Sequence, residues 1–216
     1  DQLAKQKKIK VFHHQKNLGG PGNWHFLLEN AKGQFVYLLS DDDCIKPDFL
    51  KTYFSVLEQN PQTQIIYSAI EYCDGNMNPL QNHSLSSTPG RLSGRERLKN
   101  QLFANHMVMS AIYQRNTFLK VGGWQAKYGT CLDAAAFAKM CTQSEWTYFI
   151  KEALFCFRLG DQSWSSFRVE KQRAQYENFR RILDDILIWA QQQDVQGVRE
   201  YQRCYKAHAQ GVLNML

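Results

Sequence analysis

The sequence predicts an α/β fold, and two observations support this prediction. Short apolar segments rich in β-branched and aromatic residues alternate along the chain with segments whose apolar residues recur at helical spacing. The 216 residues are 44% hydrophobic and 13% aromatic, which is the composition of a globular protein with a sizeable core. We therefore expect a central sheet covered by helices.

The first third of the chain begins this alternation. Residues 9–14 (IKVFHH) are predicted to form a short strand, and residues 15–24 a loop, because Gly-Gly-Pro-Gly continues neither a strand nor a helix. A helix is predicted from Asn23, with Gly33 as its stop. The segment QFVYLLS, residues 34–40, is then predicted to be a buried strand because it is short and rich in β-forming residues.

The middle of the chain continues in the same way. Pro47 opens the next predicted helix at its first turn, where proline is tolerated. Residues 63–74 (TQIIYSAIEYCD) are predicted to form a strand or a strand pair, and residues 75–94 a long polar loop. Residues 95–103 are predicted to be helical.

The second half repeats the pattern and ends in helices. Strands are predicted at residues 107–115 (MVMSAIYQR) and 147–159 (TYFIKEALFCFRL), with a helix after Leu132 between them. The spacing of apolar residues predicts one long amphipathic helix over residues 167–194 and a further polar helix over residues 198–213.

The amphipathic helices suggest a division of the chain into a domain, residues 1–166, and a C-terminal helical extension, residues 167–216. Packing of the apolar stripe onto the domain is the default for such a helix. Two alternatives stay open: pairing with a second copy of the chain, and peripheral contact with an acidic membrane surface through basic residues. These basic residues are Arg168, Lys171, Arg173, Arg180 and Arg181.

Charge and cysteine content narrow the function only slightly. The formal net charge is +6 and the pI about 9.0, which suits anionic small molecules, acidic membranes or nucleic acid. The six cysteines form no CxxC pair and no zinc-like spacing with histidine, so we expect reduced thiols in a cytoplasmic protein. The chain opens on Asp1 rather than on methionine, from which we expect a piece of a longer polypeptide.

An acidic tripeptide follows the strand predicted at residues 34–40. Asp41, Asp42 and Asp43 would repel one another at the end of that strand, and a divalent cation would offset the repulsion. Asp41 and Asp43 can face one side, since alternate residues of an extended segment point the same way. Carboxylates from a short loop are usual ligands of Mg²⁺ or Mn²⁺. The alternative is an exposed acidic turn that precedes the next helix.

The order of several short motifs over about 35 residues resembles the nucleotide-binding half of the inverting family 2 glycosyltransferases, which have a GT-A fold. The motifs are Asn17, Gly19 and Gly20, then Asn23, then Ala31 to Gly33, then Asp41 to Asp43, then Pro47 to Leu50. The resemblance covers roughly residues 9–165. It implies a GT-A-like three-layer sandwich with a mixed sheet, to which the C-terminal amphipathic helices are added.

The resemblance also implies a reaction: a sugar moves from a nucleoside diphosphate, with UDP the first expectation, to an acceptor hydroxyl with inversion. Asp43 and Asp41 would hold Mn²⁺ or Mg²⁺, with Asp43 the better candidate. The residues implied to bind the donor are Asn17, Gly19, Gly20, Asn23, Asp41, Asp42 and Arg158. The acceptor would be a saccharide or carried on a lipid, and no nucleic acid is expected. Ser40 stands where many members have a further Asp, which weakens the contact expected with the ribose.

The general base that takes the acceptor proton would be Asp133, at the start of a helix after the Gly122-Gly123-Trp124 turn. The family usually has Glu-Asp here, and this chain has Leu132 before Asp133. The alternatives are that Asp133 only caps its helix, and that Trp124, the candidate acceptor contact, only fills the core.

Two departures from the family pattern bear on activity. The first strand and helix of the family, with an aspartate that contacts uracil, have no match and would precede Asp1, so the domain is expected to be incomplete at its N-terminus. Asp161 stands where the family often has a histidine.

A non-catalytic domain that binds sugar nucleotides, or a scaffold, is therefore the alternative function. The family leads us to expect a role in bacterial surface polysaccharide or lipopolysaccharide synthesis.

Overall fold

The structure, a computed structural model, describes residues 9–83, 88–104, 108–159, 169–193, 199 and 201–203. In chain order its elements are α1 (Gly19–Asn30), β1 (Phe35–Tyr37), β2 (Cys44–Ile45), α2 (Phe49–Gln59), β3 (Thr63–Cys73), β4 (Pro79–His83), β5 (Gly90–Ser93), α3 (Gly94–Ala104), β6 (Ile112–Gln114), α4 (Arg115–Lys120), a 3₁₀ helix (Ala126–Cys131), α5 (Leu132–Gln143), β7 (Trp146–Arg158) and α6 (Val169–Gln193). Strands alternate with helices, so the predicted α/β class is confirmed.

The described strands form one mixed sheet in the order β1-β6-β3-β7-β2, with β4 paired to β3 and β5 paired to β7. The two long strands β3 and β7 run parallel, and the other pairings are antiparallel. β3 is apolar and almost continuously buried, as expected of a strand covered on both faces. It therefore lies at the centre of the sheet.

Helices cover both faces of this sheet and give the three layers. On one face, Phe49 and Tyr53 of α2 pack with Ile66 of β3. On the other, Phe137 of α5 packs edge-to-face on Tyr67, with ring centroids 5.0 Å apart. Because alternate residues of a strand face opposite sides, neighbours in β3 enter different cores.

The N-terminal prediction was wrong in two respects. Residues 9–14 form no strand, because Phe12 and His14 pack edge-to-face on Phe26 of α1, with ring centroids 5.0 and 4.6 Å away. The helix starts at Gly19 rather than at Asn23. Pro21 is its third residue, where the missing N–H would have had no carbonyl partner within the helix.

The predicted loop at residues 75–94 was wrong in part, since it contains β4 and β5. Neither strand is rich in β-forming residues, and each forms against the edge of a long strand. Asp74 folds the turn before β4, where its carboxylate accepts the N–H groups of Asn76 and Asn78 at 2.9 and 2.8 Å. The pairing partners, and not the local sequence, therefore determine these two strands.

The long C-terminal helix α6 packs against the same core as α5. Its Ile182, Leu183 and Ile186 are buried there. Asp185 accepts hydrogen bonds from Lys127, at 2.6 Å, and from Tyr128 in the 3₁₀ helix.

The predicted helix at residues 198–213 lies almost entirely outside the described residues, as do Arg168, Asp161 and the side chains of Lys171 and Arg173. Among the described helices, none combines the length and the apolar character needed to cross a bilayer.

Candidate active site

The acidic tripeptide lies between β1 and β2, in a turn at Asp41 and Asp42. Asp43 precedes β2, which pairs with the end of β7 through Cys44 opposite Cys156. This pairing brings Asp43 to Arg158, the last residue of β7, whose backbone N–H donates to Asp43 Oδ1 at 3.0 Å. A predicted metal ligand, Asp43, and a predicted donor-binding residue, Arg158, are thus in contact, although the contact uses the main chain of Arg158.

Asp43 is half-buried, and burial raises the pKa of its carboxyl to about 6. The charges of Asp42 and Asp41 raise this pKa further, while the N–H and the guanidinium of Arg158 lower it. A negative charge is therefore unfavourable here unless a cation compensates for it. Carboxylate oxygens are the ligands that Mg²⁺ and Mn²⁺ prefer, so the residues present fit such an ion.

The start of α1 leaves its backbone open at Gly19 and Gly20. Asn17 Oδ1 accepts the N–H of Gly19 at 2.8 Å, and Asn23 Oδ1 lies 3.1 Å from His14 Nε2. Both amide side chains therefore shape the loop. Gly19 has a φ of +66°, and open space surrounds the position where a Cβ would lie in Gly19 and in Gly20. A ligand could approach the backbone closely at this point.

Trp124 follows a turn that only glycine adopts easily. Gly122 and Gly123 have φ angles of +88° and +57°, and a Cβ on Gly123 would lie 2.4 Å from Leu28 Cδ2. The turn ends α4 and directs Trp124 into the core, where it is 6% exposed. Its ring packs edge-to-face on Phe118, with centroids 4.7 Å apart. Trp124 thus contributes to the core and also lines a cavity.

This small cavity lies where β1, the Trp124 turn and the start of α5 meet. Its lining residues are Leu38, Val108, Met109, Ala111, Tyr113, Trp124 and Asp133. Among these described residues Asp133 alone carries a carboxylate. Leu38 follows β1 directly and leads to the acidic tripeptide, so the cavity and the tripeptide share one connecting segment.

Asp133 is the second residue of α5, whose N-cap is Cys131. Asp133 therefore does not occupy the N-cap position that the alternative interpretation gave it. Burial raises the pKa of the Asp133 carboxyl, while its own N–H and that of Ala134 lower it. An aspartate with a raised pKa is a stronger base than one in water.

The cavity wall at residues 108–111 was not predicted as part of the site. Ser110 Oγ donates to the carbonyl of Ser68 at 2.8 Å and accepts the N–H of Ser68 at 3.1 Å. Tyr53 donates to the Ser110 carbonyl at 2.8 Å. These contacts attach the wall to the central strand. They join residues 42 and 57 positions apart in the chain, and no local sequence signal reveals them.

Comparison with known proteins identifies the family. Residues 1–121 match the model described as glycosyl transferase family 2. The chain belongs to glycosyl transferase family 2. The resemblance stated from the motifs is thereby confirmed for the part that includes the acidic tripeptide. Asp133 and Arg158 lie beyond the matched residues, so their roles depend on the geometry described above.

Two relatives are named as glycosyltransferases. One, an uncharacterized glycosyltransferase of Methanocaldococcus jannaschii, is 21% identical over 195 residues, which cover 86% of this chain and 65% of the relative. The other, from Haemophilus influenzae, is 28% identical over 173 residues, covering 77% of this chain and 56% of the relative. The chain therefore spans less than two thirds of the length of either protein.

Two solved structures share the fold. Crystal structures of S. aureus TarS and of its residues 1–349 align with TM-scores of 0.62 and 0.58, at 18% and 13% identity. The first alignment covers 86% of this chain and 31% of TarS, and the second covers 97% and 77%. The GT-A-like fold that the sequence predicted is therefore confirmed.

Proposed function

We propose that this chain transfers a sugar from a nucleoside diphosphate to an acceptor hydroxyl with inversion at the anomeric carbon. One observation carries the proposal: the half-buried Asp133 lines a cavity together with Leu38, and the acidic tripeptide begins three residues after Leu38. A base that lines the cavity and a diphosphate site on the segment that follows the cavity wall are the two parts that an inverting transfer requires. Membership of glycosyl transferase family 2 supports the same reaction.

Asp133 acts on the acceptor in this proposal. The acceptor hydroxyl enters the cavity beside Trp124, and its proton passes to an oxygen of the Asp133 carboxylate as the acceptor oxygen attacks the anomeric carbon. The bond from that carbon to the diphosphate breaks on the opposite face, which inverts the configuration. The acceptor would be a sugar, free or carried on a lipid, and Trp124, which is 6% exposed, would contact it only through the small part of its side chain that lines the cavity.

The donor lies against the acidic tripeptide and the loop before α1. Asp43 and Asp41 would hold Mn²⁺ or Mg²⁺, which when bound compensates the charge of the leaving diphosphate. Asp42 and Arg158 border this position, and the exposed backbone at Gly19 and Gly20 would approach the nucleotide. UDP is the first nucleotide to test. Nucleic acid has no part in this reaction.

A transfer assay tests the proposal directly. The purified chain is incubated with Mn²⁺, a panel of UDP- and GDP-sugars and simple sugar acceptors, and release of nucleoside diphosphate is measured. We expect release that requires the metal, and a product whose anomeric configuration, read by NMR, is opposite to that of the donor. Donor binding without turnover would favour the non-catalytic sugar-nucleotide-binding alternative, and absence of binding would favour a scaffold.

The pH dependence of the transfer is expected to report Asp133. The carboxylate accepts a proton only when it is ionised, so kcat falls as the pH drops through its pKa. Because burial raises this pKa, the acid limb of kcat should lie above about 3.9, the value of an unperturbed aspartate. The measurement is kcat against pH at saturating donor. A rate that stays constant down to the ordinary range would contradict Asp133 as the base.

A further inference from the structure

Four side chains with metal-binding atoms lie on one face of the sheet, beside the acidic tripeptide. Glu71 of β3 is the register partner of Cys156 of β7, and Cys156 is the partner of Cys44 of β2. Residues directly opposite one another in paired strands point to the same face. Cys73 lies two residues after Glu71 in β3 and shares that face. The sheet therefore assembles three thiols and one carboxylate from three strands.

The distances in this cluster are close to those of a tetrahedral metal site. The metal-binding atoms of Glu71, Cys73 and Cys156 all lie within 4.8 Å of one another. Cys156 Sγ lies 3.7 Å from Glu71 Oε2. Cys44 is not part of this close group of three atoms and is placed beside it by its register position opposite Cys156. Zinc–sulfur bonds of about 2.3 Å in a tetrahedron place the sulfurs about 3.8 Å apart. Contraction by about 1 Å would therefore bring these three atoms to tetrahedral distances, and Cys44 would have to turn its side chain toward them to supply the fourth ligand.

We propose that Cys44, Cys73, Cys156 and Glu71 form a structural zinc site. Three sulfurs and one oxygen are the soft donor set that selects Zn²⁺ over Mg²⁺ or Mn²⁺. Cys73 is 1% and Cys156 7% exposed, so bound zinc would be shielded from water. Lys46 lies 3.1 Å from Glu71 and offsets part of the negative charge that four deprotonated ligands bring.

The zinc site is distinct from the proposed Mn²⁺ or Mg²⁺ site. Bound zinc would nevertheless help to fix the position of Asp43, a proposed ligand of the Mn²⁺ or Mg²⁺ ion. Cys44 follows Asp43 directly, and Cys156 lies two residues before Arg158, whose N–H donates to Asp43. β2 has only two residues and is the last strand of the sheet order. Zinc bound by Cys44, Cys156 and Cys73 links this short strand to β7 and β3. Its role is to hold Asp43 in place, and four protein ligands leave no open position for catalysis.

Cobalt titration tests this proposal, because cobalt substitutes for zinc and reports its ligands by colour. The whole chain, reduced and stripped of metal, is titrated with Co²⁺. We expect sulfur-to-cobalt charge-transfer absorption together with the strong visible bands of tetrahedral cobalt. Zinc should remove both and raise the thermal midpoint of unfolding. Cys156→Ser and Cys73→Ser should each lower the intensity of the charge-transfer band, because each removes one of three thiolates, whereas Cys131→Ser and Asp43→Asn should leave it unchanged.

Several outcomes would overturn the proposal. Absence of the charge-transfer band in the reduced chain would do so, as would an unchanged band in Cys156→Ser. If the cysteine variants fail to fold, X-ray absorption at the zinc edge of the unaltered chain decides the question: sulfur neighbours support the site, and oxygen or nitrogen neighbours alone contradict it. A disulfide between Cys44 and Cys156 in protein kept under reductant would also contradict it.

Discussion

Asp133→Asn is expected to lower the kcat of sugar transfer by about 10²–10⁴-fold, the range that a positioned general base contributes. Asparagine has nearly the same shape and keeps an oxygen that can accept the N–H of Ala134, but it cannot take a proton from the acceptor. Asp133 lines the cavity and is separate from the acidic tripeptide, so the affinity for the sugar nucleotide should stay unchanged. Steady-state kinetics and calorimetric titration with the donor measure the two quantities.

The fold provides a way to distinguish a lost base from a damaged helix. Burial disfavours the charge of Asp133, so replacing it with a neutral amide should leave the thermal midpoint unchanged or raise it. Asp184→Asn is the matched control, since Asp184 lies on α6 and forms only a partly exposed ion pair with Arg180 at 3.9 Å. A variant that keeps its kcat, or one that loses donor binding together with kcat, would rule out the proposed role.

The features that local sequence encodes were predicted well. β3 was predicted at residues 63–74 and lies at Thr63–Cys73, because its apolar residues carry both the strand propensity and the burial. α5 was predicted after Leu132 and runs over Leu132–Gln143, where five of its residues from Ala134 to Ala138 are buried and four of them are alanine, the strongest helix former. In these elements local propensity and tertiary packing agree.

The features that depend on distant partners were not predicted. Residues 9–14 have the composition of a strand, but Phe12 and His14 contact Phe26 instead of a sheet neighbour. β2 has two residues, and its pairing with β7 joins positions more than a hundred residues apart. Such a strand has too few residues for any periodicity to be visible, and its existence depends on the edge that β7 offers.

The same distinction applies to the candidate site. The acidic tripeptide was visible because three adjacent carboxylates after an apolar run are a local signal. The cluster of Cys44, Cys73, Cys156 and Glu71 was not visible, since it needs the register of three strands. The cysteine spacing predicted no zinc site, because the motifs used for that prediction describe closely spaced ligands on one loop. The four residues of this cluster come from separate strands.

Asp43→Asn is expected to weaken metal-dependent binding of the sugar nucleotide by at least about 100-fold. Loss of an outer-shell partner of a metal ligand already costs up to about 100-fold in metal affinity, and Asp43 is proposed to be a ligand itself. The substitution removes one of the two proposed ligand charges. It preserves an oxygen that can accept the N–H of Arg158, so β2 and the end of β7 should stay paired. The measurement is calorimetric titration with UDP, in the presence of Mn²⁺ and in its absence.

The comparison with Asp48→Asn separates a ligand from a general effect of charge. Asp48 is an exposed carboxylate five residues further along, and although it is the N-cap of α2 its side chain forms no capping hydrogen bond. Its loss should therefore leave binding unchanged, since exposed charges at this separation are largely screened. If both variants weaken binding equally, the tripeptide acts only through its overall charge. If neither does, the donor binds elsewhere, and the proposed transferase site is wrong even though the family assignment stands.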